Sequence, residues 1–160
     1  METSKLKHLF VFVILANLVS VSACAARIGG SAEGGPRPGM DASGEVVDSS
    51  LVEAGDGRAV QGINDWHGEI SGKSFPGAKF DQLKIGMPLE KVAEKLGEPD
   101  GQERYVTGKL FIPYYFGSDT ERFEAVYTNQ GRLVFAREGG FSNTMILIWI
   151  IYDKDQPGAI

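Results

Sequence analysis

The segment Leu89–Leu96 constrains the fold of this chain more than any other, because it has the pattern of a helix too short to be stable alone. Its apolar residues are spaced i, i+3, i+4 and i+7 and form one stripe: Leu89, Val92, Ala93 and Leu96. Pro88 suits the first helical turn, whereas Gly97 and Pro99 are typical of a helix end. Since a helix of this length is marginal in water, the stripe must pack against another part of the chain.

The C-terminal third supplies that surface, because it has the alternating pattern of antiparallel strands. Residues 144–152, TMILIWIIY, are too few to span a bilayer as a helix, and their β-branched content favours a central strand buried on both faces. The turn at 129–131 predicts a hairpin. Further strands are predicted at 102–107, 121–128 and 132–137. We therefore predict an α+β domain at 80–153, in which a short helix packs on a three- to four-stranded antiparallel sheet.

The N-terminus has the layout of a secretory signal. Lys5 and Lys7 precede the apolar run 9–21, which is short for a membrane span. The chain has one cysteine, Cys24, so no intramolecular disulfide can form. The tetrapeptide Val-Ser-Ala-Cys that ends at this cysteine resembles the bacterial lipobox, which implies a signal peptide at 1–23 and acylation of Cys24. Several acyl chains on one residue would anchor the protein stably to a membrane. The alternative is a signal anchor with an incidental cysteine.

The stretches that flank the predicted domain carry weaker patterns. Residues 24–60 are rich in Gly, Ala, Ser, Pro and Asp, which predicts a flexible, disordered tether. Residues 61–79 form a transitional arm, within which 66–70 fit either a short strand or an ordered segment laid on the domain. Trp66 is predicted to pack against the sheet, with exposure to a partner as the alternative. The tail 154–160 is polar and is predicted to fray.

An aromatic-rich segment around Pro113 is the candidate binding surface. Proline cannot sit in a central strand, so one interpretation is an edge strand whose aromatic side chains cover the core. The other is a loop that presents these side chains to a protein or to the bilayer interface, for which tyrosine is well suited. The candidate partner-binding residues are Phe111, Tyr114, Tyr115 and Phe116.

The sequence offers little for catalysis, metals or nucleic acid. A net charge of −5 and a pI near 5.1 argue against a nucleic-acid-binding protein. His67 would be the only histidine left after signal cleavage, and one histidine without a cysteine partner is not a zinc site. No nucleophile–base arrangement or dinucleotide loop is recognisable. We expect no enzymatic activity, cofactor or metal.

The helix and its flanks resemble the SmpA/OmlA family of bacterial outer-membrane lipoproteins. The residues that carry the resemblance are Gly86, Met87, Val92, Leu96, Gly97 and Pro99. Family members usually have Ser or Thr where Pro88 stands, so the helix start is expected to shift by a residue. The resemblance implies a binding or scaffolding role on the periplasmic face of the outer membrane, with the β-barrel assembly machinery as partner or with a part in envelope integrity. Ala25 after the cysteine likewise resembles the pattern that is sorted to the outer membrane.

Two other function classes remain open from the sequence. The SmpA/OmlA family shares a helix-and-sheet unit with the β-lactamase inhibitor protein, which implies an inhibitor or sequestering protein for a periplasmic enzyme. A small-ligand or lipid carrier is the second alternative, and it would require an apolar cavity.

Overall fold

The fold is built on one mixed β-sheet. The computed structural model describes residues 37–111, 113, 117–139 and 141–158. Within these ranges the sheet has six strands, in the order β1-β2-β6-β5-β4-β3, and every neighbouring pair is antiparallel except β2 and β6. The strands are β1 Arg58–Gln61, β2 His67–Ser71, β3 Gly101–Val106, β4 Glu121–Tyr127, β5 Gly131–Arg137 and β6 Met145–Tyr152. The described helices are α1 Leu89–Leu96 and the 3₁₀ helices Ser49–Leu51, Lys79–Gln82 and Gly108–Phe111.

The predicted three- to four-stranded antiparallel sheet is therefore wrong. Strands β1 and β2 form a hairpin, and β2 joins β6 in parallel, with Glu69 opposite Trp149. Gly68 makes this approach possible, because a Cβ at this position would lie 2.1 Å from the carbonyl oxygen of Ile148. A parallel pair brings together segments that are far apart in the chain, so neither segment alone shows it.

Helix α1 forms at the predicted residues and packs on one face of the sheet. Val92 is 0 % exposed and belongs to the larger apolar cluster, together with side chains from β4, β5 and β6. Pro88 is extended and is itself the N-cap residue, so the helix begins at Leu89 and Pro88 does not lie in its first turn. Gly97 ends the helix with φ +82°. The exposed Lys91 and Glu94 pair at 2.8 Å, which contributes only a few tenths of a kcal/mol.

Strand β6 is the centre of the sheet, as predicted. It lies between β2 and β5, and its side chains enter two separate apolar clusters. Leu147 and Ile150 belong to the cluster under α1, whereas Trp149 and Ile151 belong to the cluster on the opposite face. The strand is thus buried on both faces, which accounts for its continuous apolar sequence.

The segment 37–56 covers part of that opposite face, which we call the second face. Val46 and Val52 are buried against Val134, Trp149 and Ile151. The predicted disordered tether is therefore wrong for residues 37–60, because its few valines supply the cover that the second face requires. Residues 24–36 lie outside the described part of the chain, as does the predicted signal peptide at 1–23. Residues Gly34–Ile160 form a compact unit by themselves.

Hydrogen bonds to the C-terminal turn hold the segment 37–56 against the sheet. Gln156 is 1 % exposed, and its side-chain oxygen accepts a hydrogen bond from the hydroxyl of Ser49. The backbone N–H of Ser49 donates to Asp153 Oδ2 at 3.2 Å. Asn129 N–H donates to the carbonyl oxygen of Gln156 at 2.9 Å. The prediction of a fraying tail is therefore wrong up to residue 158, and residues 159 and 160 are not described.

Candidate functional site

Gly86 and Met87, two of the residues that carry the family resemblance, join the helix to the central strand. The N–H of Gly86 donates to the carbonyl oxygen of Leu147 at 2.8 Å, and the N–H of Leu147 donates to the carbonyl oxygen of Met87 at 2.8 Å. Gly86 has φ +91°, a conformation that glycine adopts without strain. These contacts give the Gly-Met pair a structural task, namely to fix where the helix starts relative to β6.

The predicted aromatic surface is only partly described. Phe111 ends the 3₁₀ helix Gly108–Phe111 and is 76 % exposed. Residues 108–111 are therefore not an edge strand, and Phe111 does not cover the core. Tyr114, Tyr115 and Phe116 lie outside the described residues, as does Cys24.

Further exposed apolar side chains lie at the same end of the sheet. Val106 is the last residue of β3 and is more than half exposed. The connection between β5 and β6 leaves from this end too, since Val106 is paired with the start of β4 and Arg137 with the start of β6. Phe141, in that connection, is 99 % exposed. We call Val106, Leu110, Phe111 and Phe141 the apolar end.

The sequence analysis did not identify Phe141 as a candidate binding residue. It is a lone aromatic residue in a glycine-rich connection, where no periodic pattern marks it. The loop around it lies against the loop after the 3₁₀ helix, because a Cβ at Gly139 would be 2.7 Å from the backbone nitrogen of Ser118. A large apolar side chain that no neighbouring element can bury is the signal to look for in such loops.

Asp119 anchors a small charged cluster beside the apolar end. Its carboxylate accepts hydrogen bonds from Nε and Nη2 of Arg122 at 2.7 and 3.1 Å and from Nζ of Lys109 at 2.8 Å. Burial would raise the pKa of Asp119, but the hydrogen bonds and charges of Arg122 and Lys109 outweigh it and lower the pKa. Asp119 raises the pKa of Arg122 in turn. Two cations share one carboxylate here, so the cluster carries a net positive charge.

A cavity of about 450 Å³ opens on the second face, beside the cover formed by 37–56. Its floor consists of Ala136, Ile148 and Trp149, from the two middle strands β5 and β6. Arg122, Asp119 and Ser118 line one side. The opposite side is lined by residues of β1 and β2 and the segments before them: Ala54, Gly55, Gly57, Ala59, Trp66, His67, Gly68 and Glu69. We call this space the second-face cavity.

The wall at 54–57 is held in place by Glu69. Its two carboxylate oxygens accept hydrogen bonds from the backbone N–H groups of Gly55, at 2.8 Å, and Gly57. A Cβ at Gly57 would lie 2.6 Å from one of these oxygens, so the residue must be glycine for the turn to approach this closely. Arg37 Nη1 also donates to the carbonyl oxygen of Asp56 at 2.8 Å. Glu69 thus has a structural role in shaping the cavity.

The described residues show no arrangement suited to metal binding. In residues 37–158, apart from the undescribed positions, no group of three or more His, Cys, Asp or Glu side chains could hold a metal ion. His67 is exposed on β2, opposite Gln61. Trp66 packs against the larger apolar cluster, as predicted. None of the described helices is long and apolar enough to cross a membrane.

Comparison with known proteins adds no relative. No protein-family model, no curated protein and no solved structure matches this chain.

Proposed function

We propose that this protein is a lipid-anchored binding module on the periplasmic face of the outer membrane. The binding role rests on one observation, the apolar end, where Phe111 in a 3₁₀ helix and Phe141 in the connection between β5 and β6 are both exposed. Exposed aromatic side chains grouped in this way are typical of protein–protein contact surfaces. The anchor rests on the lipobox-like sequence that ends at Cys24.

The resemblance to the SmpA/OmlA family favours one kind of partner. A role in β-barrel assembly or in envelope integrity would require the domain to stay near the membrane. A lipid on Cys24 would achieve this, because the 12 residues between Cys24 and Arg37 reach at most about 45 Å when fully extended. The competing function, inhibition of a periplasmic enzyme, uses the same apolar end. Purification of the crosslinked partner separates the two, since one yields membrane assembly subunits and the other a soluble hydrolase.

Cys24→Ser is expected to abolish acylation and to remove the protein from the outer-membrane fraction. The thiol is the only group in the chain that the lipobox-like sequence offers for lipid attachment. Metabolic labelling with a fatty acid, mass spectrometry of the N-terminal peptide and membrane fractionation measure the effect. Ser22→Ala is the matched control and should be acylated normally. Wild-type protein without an acyl group would contradict the proposed anchor.

The double variant Phe111→Ser/Phe141→Ser is expected to lose partner capture without losing stability. Both side chains are mostly exposed, so their removal should change the melting temperature by no more than about 2 °C. If they are central to the contact, crosslinking in intact cells should fall at least about tenfold, which corresponds to roughly 1.4 kcal/mol. Val47→Ser, an exposed apolar residue on the cover segment, is the control and should leave crosslinking unchanged. Unchanged crosslinking in the double variant would place the contact surface elsewhere.

A further inference from the structure

The second-face cavity has the size and lining of a small-molecule site. Its volume of about 450 Å³ lies within the range of roughly 300–1,000 Å³ that is usual for such sites. Trp149 forms part of the floor, and its indole N–H donates to the hydroxyl of the fully buried Ser71 at 2.9 Å. Because that N–H is the only polar group of the ring, the ring offers carbon surface to the cavity. Ile148 and Ala136 extend the apolar floor.

The two sides of the cavity differ in charge. Glu69 on β2 and Arg122 on β4 are separated by the two middle strands, so three strand spacings of about 4.8 Å place their backbones at least roughly 14 Å apart. The negative charge of Glu69 is met by the backbone N–H groups of Gly55 and Gly57. The opposite side carries the net positive charge of Arg122 and Lys109 around Asp119.

Arg122 is placed to bind an anionic ligand while it stays paired with Asp119. An arginine has five N–H donors; the pair of Arg122 with Asp119 uses Nε–H and one Nη2 hydrogen, and the side chain of Tyr105, opposite on β3, is a further hydrogen-bonding neighbour. Asp119 itself is fixed, because its backbone N–H donates to the carbonyl oxygen of Arg137 at 3.0 Å and its carbonyl oxygen accepts the hydroxyl of Thr107. The guanidinium is therefore held at the edge of the apolar floor before any ligand arrives.

We propose that the second-face cavity binds a small amphipathic anion, a molecule with one carboxylate and an apolar body such as a medium-chain fatty acid. The carboxylate lies at Arg122, and the apolar body lies over Trp149, Ile148 and Ala136. This site is distinct from the apolar end and does not depend on the lipid anchor. It adds a ligand to the binding module proposed above.

Octanoate is the probe, and the protein supplies its own reporter. The chain has two tryptophans, Trp66 and Trp149, and both line the cavity. The test uses the chain from Ala25 onward, which retains the compact unit Gly34–Ile160. Octanoate should change the tryptophan emission saturably, with one site per chain by calorimetry. Octanol and octyltrimethylammonium, which lack the negative charge, should bind at least about tenfold more weakly.

Arg122→Gln should weaken octanoate binding about tenfold, because it removes the charge that meets the carboxylate. Arg104→Gln is the matched control, since Arg104 lies on the neighbouring strand over the ring of Phe123, on the opposite face of the sheet. If Arg122→Gln does not fold, Lys109→Gln takes its place and should weaken binding about threefold, because it removes one of the two shared cations.

Three results would overturn the proposal. The first is no change in emission and no heat on addition of octanoate. The second is equal affinity for the anionic, neutral and cationic probes, which would reduce the cavity to an unselective apolar surface. The third is an equal loss of affinity in Arg104→Gln and in the Arg122 or Lys109 variant, which would point to the overall charge of the protein.

Discussion

Val92→Asp is expected to unfold the domain. Val92 is fully buried in the cluster between α1 and the sheet, whose members have apolar or aromatic side chains. An unpaired buried carboxylate costs several kcal/mol, while a domain of this size is stable by only about 5–15 kcal/mol. The far-UV circular dichroism at 25 °C and the thermal transition measure the result. We expect a melting temperature at least about 15 °C below that of the wild type, or no cooperative transition.

Lys95→Asp is the control for that experiment, because it introduces the same side chain on the exposed face of the same helix. It also replaces a cation in the last turn, so a loss of about 0.5–1 kcal/mol is expected from the helix dipole. A Val92→Asp protein that melts within a few degrees of the Lys95→Asp protein would contradict the packing of α1 on the sheet.

The elements that the sequence predicted are those with a complete local pattern. The stripe of α1 and the alternation of β4 each repeat several times within ten residues, so a local reading was sufficient. Strand β6 could be recognised for a different reason. Its unbroken apolar run requires cover on both faces, and the structure provides α1 on one face and Val46 and Val52 on the other.

The elements that the sequence did not predict depend on contacts between distant segments. A short strand at 66–70 was one of two interpretations of the sequence, and β2 forms there, but HGEIS has one large apolar residue and gives no sign of the pairing with β6, which joins positions about 80 residues apart. The segment 37–56 also depends on distant residues, because Ser49 forms hydrogen bonds with Asp153 and Gln156 near the C-terminus. The composition of residues 37–56 is typical of a linker. These residues are ordered because they cover apolar side chains on the second face of the sheet, and their composition alone does not show this.

The same distinction holds for the candidate sites. Phe111 was predicted from a cluster of aromatic residues in one segment, whereas Phe141 belongs to the apolar end through the geometry of two loops. The second-face cavity is lined from five strands or their flanking loops, so its residues carry no shared motif. The carrier hypothesis required an apolar cavity, and this one lies on the surface of the sheet between β2 and β4.

Gly131→Ala is expected to be the other strongly destabilising substitution. Gly131 starts β5 and pairs with Tyr127 on one side and Tyr152 on the other. Its φ is +122°, and a Cβ would lie 1.9 Å from the carbonyl oxygen of Ile151 in the central strand. Strain in the backbone and the displacement of β6 should together cost about 3–5 kcal/mol. Urea unfolding followed by circular dichroism gives the free energy of unfolding.

Gly108→Ala separates this steric effect from the general effect of replacing a glycine. Among the described residues, no atom beyond its chain neighbours lies within 4 Å of a Cβ at Gly108, and its φ is outside the left-handed region. The substitution should therefore change the free energy of unfolding by less than about 1 kcal/mol.

If the two variants had equal free energies of unfolding, the close approach of β5 to the end of β6 would be wrong. The position of the C-terminal turn would then be in doubt, because the N–H of Asp153 donates to the carbonyl oxygen of Gln130 next to this glycine, at 3.1 Å. A large loss in Gly131→Ala alone would instead support the close packing that also holds Ser49 and its cover segment on the second face.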